Sequence, residues 1–121
     1  MDLYEEITRL TKELDVSVKQ LRVSGTEYAQ AEKNYKIKLR QEALKLRADE
    51  NMPVTLINQI IYGVQEVANL RFERDVKEAV YEANKEAINS IGLKLFFKSF
   101  TIILQHSIHG SIVLLIFLVL I

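Results

Sequence analysis

Ala48–Pro53, ADENMP, is the one clear break in a chain otherwise patterned for helix, and the fold follows from what lies on either side of it. Pro53 disfavours helix at Met52 and suits the first turn of a new helix, with Asn51 as a nearby cap candidate. Upstream, Asp2 can cap a helix whose first turn carries Glu5 and Glu6, where the helix dipole favours negative charge. Apolar residues then recur at Leu3, Ile7, Leu10 and Leu14, and continue at Leu21, Tyr28 and Tyr35. Steps of four, three and seven are those of a coiled-coil seam, with the small residues Ser17, Ser24 and Ala31 at the intervening positions. The seam keeps phase across Gly25, so one helix is expected from about Leu3 to Ala48, although a mid-helix Gly costs ~1 kcal/mol relative to Ala. Downstream, 54-VTLINQIIY-62 reads as a short apolar helix closed by Gly63. A further helix over about 64–91 carries Val67, Phe72, Val76, Val80, Ala83 and Ala87, which are expected to share its buried face. Long helix, corner at 49–63 and second long helix give an all-α antiparallel hairpin. Two helices bury little surface, so the seam Leu3, Ile7, Leu10, Leu14, Leu21, Tyr28 and Tyr35 is also expected to hold copies of the chain together as a homo-oligomer.

The second organising stretch is 99-SFTIILQHSIHGSIVLLIFLVLI-121, in which no charged residue occurs; the chain's 16 basic and 16 acidic residues all precede it. As a helix it would be ~35 Å long, enough to cross a hydrocarbon core of ~30 Å. Its Ile, Leu, Val and Phe residues supply on the order of −5 to −8 kcal/mol toward insertion. Lys94 and Lys98 form a basic juxtamembrane segment at 92–98 and favour a cytoplasmic body below a single C-terminal anchor. Phe96, Phe97 and Phe100 fall near the expected headgroup level.

The formal net charge is zero, so no global field draws the chain to nucleic acid or an acidic surface. There is no cysteine, which excludes disulfides and thiolate chemistry. Gly-rich phosphate loops, a His-Glu-x-x-His helix and a Gly-x-Ser-x-Gly elbow do not occur in the sequence, so no enzyme activity, cofactor, metal site or small-molecule substrate is expected. His106 and His109 share a helical face, but the nearest acid in sequence is Glu86, a poor setting for metal or proton work.

Lys33–Arg47, KNYKIKLRQEALKLR, is the one strongly basic stretch. Lys33, Arg40 and Arg47 form one row at sevens, Lys38 and Lys45 another. These are the candidate phosphate-contacting residues, weighed against an ordinary solvated helix face. Short helix, Gly and helix at 54–64 invite comparison with helix-turn-helix readers. Gln59 and Asn69 stand where that motif needs small and apolar residues.

The segments LYEEITRLTKELDVSVKQLR, EYAQAEKNYKIKLRQEALKLR and RFERDVKEAVYEANKEAINSI resemble a group of small uncharacterised helical proteins of phages and prophages of Gram-positive bacteria. The resemblance covers about residues 1–91 and carries no catalytic motif. It implies a helical accessory protein whose relatives continue past Gly92 with a charged amphipathic helix, where this chain turns oily. Two expectations follow. One is a non-catalytic, self-associating helical interaction protein anchored in a membrane through 99–121. The other is a soluble, cytoplasmic phage accessory protein that binds nucleic acid, or a replication or recombination partner, through the basic rows, its tail the product of a frame change.

Overall fold

The computed structural model describes residues 2–121, with residue 113 described in its backbone only. Three α-helices and one 3-10 turn make up the fold: α1, Leu3–Asp49; α2, Val54–Ile60; the turn Ile61–Gly63; and α3, Gln65–Leu120. No strand occurs among the described residues. The long helices α1 and α3 pack against each other as a hairpin.

Asp2 opens α1: its carboxylate accepts from the Tyr4 amide at 3.4 Å and its carbonyl from the Glu6 amide at 3.0 Å. The far end closes differently from expectation. Asn51 adopts φ 50°, a left-handed conformation that Asn tolerates better than most residues. The Met52 amide thereby reaches back six residues to the Leu46 carbonyl at 3.4 Å, which also accepts from the Glu50 amide at 3.3 Å, so the last turn closes on itself. Asn51 thus ends α1 and does not cap α2. The Pro53 carbonyl starts α2, accepting from Leu56 at 3.1 Å and Ile57 at 3.0 Å. Arg47 ties the corner by donating to the Met52 carbonyl at 3.0 Å. The expected helix 54–62 tightens into the 3-10 turn at Ile61, and Val64, extended at ψ 127°, redirects the chain into α3.

The chain divides into a corner unit, 19–85, and a terminal unit made of Met1–Val18 and Glu86–Ile121. In the corner unit Ala31, Tyr35, Ile57, Ile61 and Val67 are buried, as is the polar Ser24. In the terminal unit Leu10 and Ile91 are buried, and Leu3, Ile7, Leu14, Ile88, Leu95 and Ile102 are half-buried.

The seam expected along α1 is therefore present, but it is spent within the chain, against α3. The expected face of α3 needs correction. Val67 is buried, yet Phe72 is 71% exposed, and Val76, Val80, Ala83 and Ala87 also face outward. The inward row of the corner unit is Val67, Leu70, Arg74, Lys77, Tyr81 and Asn84, all buried or half-buried. Half of that row is polar, so a count of apolar residues selects the wrong side. Nor does α3 break at Gly92: a Cβ there would meet open space, and the helix runs on through 92–98.

Candidate functional site

Two surfaces carry the chemistry this chain has to offer: the polar hairpin seam and the bare end of α3. In the corner unit the seam is held by specific pairs. The Asn84 amide donates to Ser24 Oγ at 2.8 Å and to the Gln20 carbonyl at 3.4 Å, while Ser24 donates to the Leu21 carbonyl at 3.1 Å. Tyr28 and Tyr81 stack with centroids 5.9 Å apart and planes 8° from parallel. Burial raises the Tyr28 phenol above its ordinary 10.0. The Arg74 guanidinium lies 4.5 Å from the Tyr35 ring centroid and also binds Asp75 at 2.8 Å. Lys77 pairs with Glu27 at 3.0 Å.

Gly25 now has a reason. A Cβ there would stand 3.2 Å from Tyr81 Cε2, so the ring packs on the bare backbone.

Of the candidate phosphate-contacting residues, Lys33, Arg40, Lys45 and Arg47 are exposed. Lys38 is not available in the same way. It lies between Glu42, at 3.1 Å, and Glu66 of α3, whose hydrogen bond is the main cause of the raised Lys38 pKa. The same contact with Lys38 lowers Glu66. One of the two basic rows is thereby half neutralised.

In the terminal unit Lys98 pairs with Glu6 at 2.6 Å, and its hydrogen bond and charge hold the Glu6 carboxyl below its ordinary 4.5. Lys94 is exposed. Phe96 stacks on Phe100 with centroids 6.2 Å apart and meets Phe97 edge-on at 5.7 Å, and all three rings are more exposed than buried or nearly so. From Ile103 onward every residue whose side chain is described is exposed. His106 and His109 are among them, and no grouping of three or more metal-ligating side chains occurs among the described residues. By length and composition α3 is the one helix among the described residues apolar and long enough to cross a membrane.

Sequence reasoning missed Glu6, Glu66, Arg74, Tyr81 and Asn84 as seam residues. For Arg74, Tyr81 and Asn84 the signal was available as spacing: Val67, Arg74, Tyr81, Ile88, Leu95 and Ile102 lie at sevens, as do Leu70, Lys77, Asn84, Ile91 and Lys98.

Comparison of the chain with protein-family models, with curated proteins and with solved structures gives no match.

Proposed function

We propose that this is a non-catalytic helical interaction protein of the phage type, held at a membrane by 99–121 and acting through a self-associating helical body. The observation that carries the membrane part is the point where α3 outruns its partner. Residues 103–121 are uncharged, every side chain described among them lies bare, and as a helix they measure ~28 Å, close to the ~30 Å hydrocarbon core. Lys94 and Lys98, with the exposed Phe96, Phe97 and Phe100, match an interfacial belt at the start of that span and favour a cytoplasmic body. The inward row also keeps step from Ile91 through Leu95 and Lys98 to Ile102, across the point where the composition changes. A frame-changed tail would have no reason to supply those contacts. Self-association is supported by the apolar side chains the hairpin leaves outside: Phe72, Val76 and Val80 follow one another at fours on α3, and Val23 of α1 lines the same groove as Val80.

Flotation of the full chain on a lipid density gradient, after an alkaline wash, tests the anchor. The unaltered chain should float. Ile108→Arg with Leu115→Arg should not, since two central arginines cost about 5–7 kcal/mol together, comparable to the favourable total of the span. Equal flotation of both, or of neither, defeats the membrane reading.

The soluble alternative keeps one observation in its favour, the exposed row Lys33, Arg40 and Arg47. It requires nucleic-acid binding that falls steeply with salt and is lost when these three are changed to Glu.

A further inference from the structure

In the terminal unit the inward row of α3 runs Ile88, Ile91, Leu95, Lys98, Ile102, in alternating steps of three and four, and all five are buried or half-buried against α1. The same alternation continues without a slip to Gln105, His109, Ile112, Ile116 and Val119, now exposed. The face that holds the hairpin together therefore runs on into the bare helix, and the first two positions it presents there are polar. We propose that this continued face is the contact surface for a second copy of the chain, in the same orientation, with Gln105 and His109 meeting their counterparts inside the bilayer. The inference rests on the membrane reading above.

The need for a partner comes from depth. Counted from Lys98 at the interface, Gln105 lies ~10 Å and His109 ~16 Å along the helix, within and near the middle of a ~30 Å core. Amide and imidazole groups there are costly to leave unpaired. A hydrogen bond between Gln105 and His109 of one helix, whichever donates, would still leave two N–H groups without acceptors.

The choice of a second copy comes from self-complementarity. In a parallel twofold pair each residue faces its own counterpart. Both a glutamine amide and an uncharged imidazole carry a donor and an acceptor, so like can pair with like. The three-four spacing suits the left-handed crossing of about +20° common to coiled coils and membrane bundles. Ile112, Ile116 and Val119 then supply apolar packing on the same face. The other small and polar residues of the span point elsewhere: Ser107 and Ser111 lie roughly half a turn from this row at 3.6 residues per turn.

The chain has no cysteine, so single cysteines can report the face without background. Full-length Ile112→Cys, Ile116→Cys, Leu114→Cys and Leu118→Cys would be reconstituted in phosphatidylcholine vesicles and oxidised with copper phenanthroline. The two row positions should give disulfide-linked dimers, and the two off-row positions should not. Adding Gln105→Leu and His109→Leu to Ile112→Cys should weaken dimer formation about tenfold while flotation persists. Equal cross-linking at all four positions, none at any, or no loss with the leucine pair overturns the proposal with flotation intact. Cross-links to other proteins in cell membranes, without dimers in pure vesicles, would assign the face to a different partner and likewise overturn it. Failure of the unaltered chain to float overturns the membrane reading, and this proposal with it.

Discussion

Residues 88–102 and 105–119 of α3 continue one seven-residue pattern, yet α1 covers the row of the first stretch while every described side chain of the second lies bare. The covered stretch is bordered by charged side chains, among them Glu86, Lys94 and Lys98. The bare stretch has none. Helix geometry is the same in both, and on the membrane reading the difference lies in the surroundings each requires. In water an apolar row must be covered to be stable, and charge on the remaining faces keeps the helix dissolved. In hydrocarbon the apolar side chains need no cover, and the cost shifts to polar ones. One helix can satisfy both rules only if its composition changes where its partner stops. That change falls between Lys98 and Ile103.

The largest expected effect separates the two stretches directly. Leu10→Ala, at the best-buried apolar position opposite the covered stretch, should destabilise the hairpin by about 2–4 kcal/mol. Leu115→Ala should leave hairpin unfolding unchanged; circular dichroism of both variants against denaturant would show it. A comparable loss for Leu115→Ala would mean that the bare stretch is part of the hairpin's stability after all. Next in size is the polar seam. Ser24→Ala removes the acceptor of the Asn84 amide, and leaving that group short of a partner should cost about 1–2 kcal/mol. Asn84→Ala in the Ser24→Ala background should add little further, as a double-mutant cycle would reveal.

Two of the mid-helix glycines, Gly25 and Gly92, sharpen the same contrast. Gly92→Ala meets open space and should gain up to ~1 kcal/mol of helix propensity. Gly25→Ala would press on Tyr81, and its gain should be largely cancelled, with altered tyrosine fluorescence as the local report. The smallest effect is electrostatic. Because Lys98 lowers the Glu6 pKa in the folded chain, this pair stabilises the fold above the unfolded carboxyl's ordinary 4.5 and is lost as pH falls through the lower folded value. Amide protection in the terminal unit, measured against the intrinsic exchange rate at each pH, should therefore fall on acidification below about pH 4.5, and Glu6→Gln should remove that part of the pH dependence.

Most of the hairpin was legible in the sequence because its signals are local. The run from Leu3 to Tyr35 states the seam of α1, and Pro53 states the corner. The span 99–121 declares itself by the loss of charge. What was not legible was the partner face of α3. Arg74, Lys77, Asn84 and Lys98 look like surface residues until their counterparts Tyr35, Glu27, Ser24 and Glu6 are placed opposite them, and those pairings are long-range. Long basic side chains also bury their stems while their charged heads find partners, so residue type misstates which way they face. The conspicuous row Phe72, Val76 and Val80 drew the reading outward for the same reason. Asn51 could serve the helix on either side, and only its left-handed backbone decides between them.

The Glu6–Lys98 pair has a consequence for how the protein would be observed. On the membrane reading Lys98 sits at the water–lipid boundary, and so does Glu6 in the first turn of α1, although the two residues are 92 positions apart in the chain. A fluorophore attached beside Asp2 would therefore be dimmed by quencher lipids in the headgroup region, as though it labelled the anchor itself. Addresses along the polypeptide and heights above the bilayer are separate coordinates in this molecule, and the Glu6–Lys98 pair marks where they meet.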